Sequence, residues 1–165
     1  MSRDSDKSIL VARADRAGRK GYVIDYLILN TITNTTLKGN TTYYVTNTAI
    51  LSGVTVIEGG TVVKYAKSAQ VKLQGTVKCQ TSPYRPAVFT SKDDNSIGEP
   101  ISGSTGNPAT NYPASTALYV DNNQTDLKHI RIAHADQAIY YDSDTGYPAD
   151  ERHYSGHNTL AASCA

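Results

Sequence analysis

Residues 42–90 consist of short runs of β-branched and aromatic residues, cut every few positions by Gly, Asn, Ser or Pro. The runs 42–46, 49–51, 54–57, 61–65, 70–73, 76–79 and 87–90 have the size of short strands. Val54 and Val56 alternate with Thr55 and Ile57, and Val71 and Leu73 alternate with Lys72 and Gln74. That period of two puts successive side chains on opposite faces of a sheet. The separators are not hairpin turns, because no Asn-Gly or Asp-Gly stands between the runs. Instead Gly53, Gly59, Gly60 and Gly75 mark corners. A shift of 22 residues lays Leu51 on Leu73, Gly53 on Gly75 and Thr55 on Val77. A repeat of that length, built from short strands and small-residue corners, predicts a solenoid whose stacked coils make the core.

The pattern changes on either side. Residues 1–20 are polar and charged, and a strand is expected at 21–30, placed to cover the open end of the first coil. Residues 93–113, DDNSIGEPISGSTGNPATNYP, read as a loop leaving one corner of the coil. Strands resume at 117–120 and 127–132, with Ile130 and Ile132 inward and His129 and Arg131 outward on one face. From 147 to 165 no further strand in register is expected. The division is therefore 1–36 as lead and cap, 37–146 as coils with the 93–113 insertion, and 147–165 as an irregular tail.

Four stretches carry a resemblance. They are VTVIEGGTVVKY at 54–65, VKLQGTV at 71–77, PAVFTSKDD at 86–94 and LKHIRIAHADQAI at 127–139. Together they resemble the opening coils of right-handed parallel β-helix proteins of the pectin-lyase-like superfamily. Those coils read I-E-P-G-T-V-V-K-F, L-x-V-x-G-T-L, P-I-V-F-T-S and L-K-H-V-x-I-x-x-A-x-x-A-I. Gly59 replaces the proline of the first pattern and Tyr65 its phenylalanine. The resemblance implies an all-β fold, a short right-handed parallel β-helix of about three coils with an N-terminal cap. It also implies an extracellular or cell-surface setting. The superfamily includes pectate lyases and polygalacturonases alongside surface and adhesive proteins, so the fold does not fix a chemistry.

Composition narrows this only slightly. The 165 residues carry 16 basic and 15 acidic groups, which gives no long-range attraction for nucleic acid or an anionic membrane. No apolar run is long enough to span a bilayer, and residues 1–20 lack the apolar core of a secretory signal. Twelve Tyr, one Phe and no Trp suit a β protein with a polar exterior. Cys79 fits a coil interior, with a Cys79–Cys164 bridge as the sharper alternative.

Catalytic motifs are sparse. Asp93-Asp94 is an adjacent carboxylate pair without the Asn-x-Asp and Gly-x-Asp-Asp companions of glycoside hydrolases. A lyase would need calcium, for which Asp121, Asp126, Asp136, Asp142 and Asp144 offer oxygens, and a base such as Arg131. No G-x-S-x-G elbow, phosphate loop or H-E-x-x-H is present. The reading is a non-catalytic structural or adhesive module that contacts polysaccharide through Asp93, Asp94, Tyr119, Asp121, His129 and Arg131, with no cofactor. The alternatives are a lyase or hydrolase remnant, in which calcium enters, and a module that self-associates end to end.

Overall fold

A computed structural model describes residues 26–108, 116–121, 127–142 and 160–162. They form an all-β solenoid of two sheets. The strands are β1 (Tyr26–Ile28), β2 (Ile32–Leu37), β3 (Thr42–Val45), β4 (Thr48–Glu58), β5 (Val62–Tyr65), β6 (Gln70–Gln80), β7 (Ala87–Ser91), β8 (Thr116–Val120), β9 (Ile130–Ile132), β10 (Gln137–Tyr141) and β11 (Leu160–Ala162). Odd-numbered strands make one sheet, ordered β1-β3-β5-β7-β9-β11, and even-numbered strands make the other, ordered β10-β8-β6-β4-β2. Every pairing is parallel except β11 with β9. The result is a short right-handed β-helix of about four turns, one more than the expected three, consistent with a pectin-lyase-like superfamily fold.

The additional turn comes from the N-terminal side. The strand expected as a lid is instead a rung, because Leu27 pairs in register with Tyr43 and Ile32 with Leu51. The part of that expected strand before Tyr26 lies outside the described residues. The tail also departs from expectation, since β11 pairs antiparallel with β9 and reverses direction at that edge.

Stacked columns build the core. Leu27, Tyr43, Val63, Phe89 and Ile132 form one inward column, and Ile32, Leu51, Leu73, Val120 and Tyr141 another. Tyr43, Val63, Phe89, Leu51, Leu73 and Val120 are buried. At about 25 cal/mol per Å² of apolar surface, such columns are the main stabilising term, and each is completed only by its neighbours above and below. At the first rung Leu27 is 53% exposed, although it continues the inward column.

The register found between β4 and β6 is the one the 22-residue shift predicts, with Leu51 on Leu73, Gly53 on Gly75 and Thr55 on Val77. The pieces 49–51 and 54–57 are nevertheless one strand, as are 70–73 and 76–79. Gly53 turns the chain inside the strand at φ 68°, a left-handed value that costs a glycine little. Directly beneath it, a Cβ on Gly75 would meet the Gly53 carbonyl oxygen at 2.1 Å. The β4–β6 register runs through the corner unbroken, whereas β2 and β4 shift register opposite it, where the Val54 N–H donates to Asn34 Oδ1 at 2.9 Å.

Candidate functional site

The outer face of the even-numbered sheet carries a connected group of polar and aromatic side chains. Register places Ile50, Lys72, Tyr119 and Tyr140 in one outward column across β4, β6, β8 and β10. Ser52 and Gln74 stand in the next column, which continues through Asp121 and Asp142 just past the ends of β8 and β10. Backbone bonds fix both carboxylates there, from Asp121 N–H to the Leu73 carbonyl and from Asp142 N–H to the Val120 carbonyl, each 2.9 Å. Strand pairing spaces the rungs by about 4.8 Å.

The side chains are tied together. The Tyr119 and Tyr140 rings lie 5.1 Å apart between centroids, tilted by 31°. Lys72 Nζ sits 4.4 Å from the Tyr119 ring centroid and 3.2 Å from Asp121 Oδ2. Gln74 Nε2 donates to the same Oδ2 at 2.8 Å, and the Tyr119 hydroxyl donates to Asp142 Oδ2. These contacts set the charges. The Gln74 hydrogen bond, followed by that of Lys72, holds the Asp121 carboxyl below its ordinary value. The Tyr119 hydroxyl is pushed up to about 12, first by its hydrogen bond to Asp142, then by desolvation and by the neighbouring carboxylates. Tyr119 is thus a neutral donor at physiological pH, and Asp121 and Asp142 face solvent in part.

The six residues expected to contact polysaccharide do not converge. Tyr119 and Asp121 belong to the group just described. Asp93 and Asp94 are on the opposite side of the helix, 0% and 7% exposed, at the base of the 93–113 insertion. Asp93 Oδ1 accepts from Thr105 N–H at 2.8 Å. Asp94 accepts from the Thr90 hydroxyl at 2.8 Å and from Ser96 N–H at 3.0 Å. Both carboxylates are buried and engaged by these donors, which tie down the start of the loop. Arg131 is exposed on the odd-numbered sheet, aligned with Val88. His129 is not on a strand face with it: it sits at a corner with φ 48°, and its carbonyl accepts from Ala87 N–H at 3.1 Å.

Lys72, Gln74, Tyr140 and Asp142 are the partners that the sequence did not place beside Tyr119 and Asp121. A constant 22-residue shift does not find them, because the insertion lengthens the step from β6 to β8 and the step from β8 to β10 is one residue shorter. Among the described residues, no three His, Cys, Asp or Glu side chains are grouped to hold a metal ion. Asp126 and Asp144, expected calcium ligands in the lyase alternative, lie outside the described residues, as does Cys164. Cys79 packs against the core, at the inward position paired with Ile57. No helix among the described residues is long and apolar enough to cross a membrane.

No family model matches this chain, and neither a curated protein nor a solved structure does.

Proposed function

We propose that this β-helix is a non-catalytic structural or adhesive module of a cell-surface or secreted protein, and that it contacts polysaccharide along the outer face of the even-numbered sheet. The observation that carries the reading is the neighbouring, tilted Tyr119–Tyr140 ring pair, flanked one column away by Gln74, Asp121 and Asp142. Aromatic faces suit the apolar face of a pyranose, and amides and carboxylates suit its hydroxyls. The columns run along the helix axis, so a glycan laid in that direction meets a new side chain at each rung. The carboxylate pair best suited in sequence to hydrolysis is buried and engaged on the other side, which favours binding over cleavage.

The test is co-sedimentation with a panel of insoluble polysaccharides, followed by product analysis. Retention on at least one glycan, without new reducing or unsaturated ends, is the expected result. Tyr140→Ala should lower that retention at least tenfold while leaving the melting curve in place. Product formation would make the chain an enzyme. Absence of retention across the panel would remove the carbohydrate reading and leave a bare scaffold.

A further inference from the structure

We propose that Tyr119 and Tyr140 form a built-in oxidative cross-linking site, at which a one-electron oxidant joins the two rings through their ortho carbons into a dityrosine staple between β8 and β10. The inference goes beyond the glycan contact and stands on the ring pair alone.

Strand register supplies the geometry. Tyr119 and Tyr140 are aligned partners in the parallel β8–β10 pairing, so both side chains leave the same face of the sheet one rung apart. Their ring centroids are 5.1 Å apart, and the planes are 31° from parallel. Holding two reactants side by side makes their coupling effectively unimolecular. Both side chains are half-buried, within reach of a small oxidant. Tyr26 and Tyr44 provide the contrast. They stand two positions out of register and meet at 88° and 5.8 Å, with the edge of one ring toward the face of the other. Tyr84, 99% exposed, is where coupling between molecules would compete.

Each tyrosine gives up one electron and its hydroxyl proton, leaving two neutral phenoxyl radicals. A carbon–carbon bond then forms between the ortho carbons, and each displaced ring hydrogen moves to its own oxygen, restoring both hydroxyls. Two electrons and two protons leave in all, and through a peroxidase-type oxidant they reduce one hydrogen peroxide to two waters. For Tyr119 a receiver for the proton is in place, because its hydroxyl already donates to Asp142 Oδ2. That hydrogen bond is the largest cause that pushes the Tyr119 hydroxyl up to about 12, so the electron leaves a neutral phenol as the proton passes to Asp142. A radical formed this way carries no charge, and Lys72 Nζ, 4.4 Å from the ring centroid, does not oppose it.

The test is oxidation of dilute protein with a haem peroxidase and hydrogen peroxide, in a Tyr84→Phe background that limits coupling between molecules. The expected product is a monomer two hydrogen atoms lighter, with dityrosine fluorescence and a digest fragment in which Tyr119 is joined to Tyr140. By closing a loop of about 20 residues, the staple should raise the melting temperature by about 5 °C. Tyr140→Phe, with an unchanged melting curve before oxidation, should abolish the monomer cross-link. Asp142→Asn should slow its formation about tenfold. A monomer cross-linked at other tyrosines, or cross-linked equally in Tyr140→Phe, would overturn the proposal. Products that are all larger than the monomer would overturn it too. Coupling at full rate in Asp142→Asn would overturn the proton's route through that carboxylate.

Discussion

Tyr65 lies wholly inside the coil, its ring stacked on Phe89 at 6.5 Å, with a hydroxyl that finds no partner among the described residues. Burial drives that hydroxyl well above its ordinary pKa, as expected of a group denied both water and a hydrogen bond. The β-helix pattern that this stretch resembles has phenylalanine here. Removing a buried, unsatisfied polar atom without changing the ring's shape relieves its desolvation cost. Tyr65→Phe should therefore stabilise the protein by about 1 kcal/mol, raising the melting temperature by about 3 °C. A lower melting temperature would mean the hydroxyl has a partner. Gly75 gives the opposite expectation. Its missing Cβ makes room for the Gly53 carbonyl, so Gly75→Ala should cost about 2 kcal/mol, read as an earlier denaturant midpoint. Both residues were visible in the sequence, as a substituted aromatic and as a glycine aligned with a glycine. Their partners were not visible, because an inward side chain's fit depends on the rungs on both sides.

At the scale of elements, the insertion after β7 is where sequence and structure part most. Its Gly, Pro, Asn and Ser content indicates a protruding loop, yet residues 93–105 fold back over the odd-numbered sheet. Lys64, an outward residue of β5, is fully covered and donates to the carbonyls of Asp94 at 2.7 Å and Glu99 at 2.8 Å. Thr42 Oγ1 accepts from Glu99 N–H at 2.9 Å, and Ile101 is buried. The outward residues of β5 and β7 are thus buried on both faces, which no alternation rule reads from Val62-Val63-Lys64-Tyr65. The adjacent aspartates read as polysaccharide contacts for the same reason: sequence shows their charge but not the donors that engage it. For Asp94, burial acts to raise the pKa, but hydrogen bonds from Ser96 and Thr90 outweigh it and the carboxyl lies below its ordinary value. A folded value below the unfolded one gives stability that is full above the unfolded value and is lost as pH falls through the folded one. Proteolysis of the loop should accelerate only below about pH 4, the ordinary carboxylate range. Asp94→Asn should show rapid cleavage at neutral pH with little further acid dependence. An unchanged cleavage rate in Asp94→Asn would show that Lys64 and Thr42 hold the loop without it.

For the whole molecule, stability should follow position along the axis. Solenoid rungs are held mainly by nearest neighbours, so end rungs open first. β5 and β7 lie mid-stack with the loop over one side, whereas among the described residues β1 and β2 end the stack, with Leu27 and Ile32 exposed. Amide exchange should be slowest in Val63, Lys64, Phe89 and Thr90 and fastest in β2. Uniform protection would indicate a single cooperative unit. This gradient was implicit in the repeat, which the sequence displays for two adjoining coils and conceals wherever corner lengths differ. Those lengths differ widely. Thr42, Val62, Val88 and Arg131 stack in one column although the chain between the last two is about twice as long as between the others. The ladder is therefore indifferent to contour length: each rung takes its place from the rung beneath it, not from the path that reached it. The excursion between β7 and β8 is in effect an insertion port. Doubling it with a guest peptide would add only about 0.6 kcal/mol of closure entropy. A cargo grafted beyond Thr105, clear of the Asp93 and Asp94 hydrogen bonds, would ride on the face opposite Tyr119 and Tyr140.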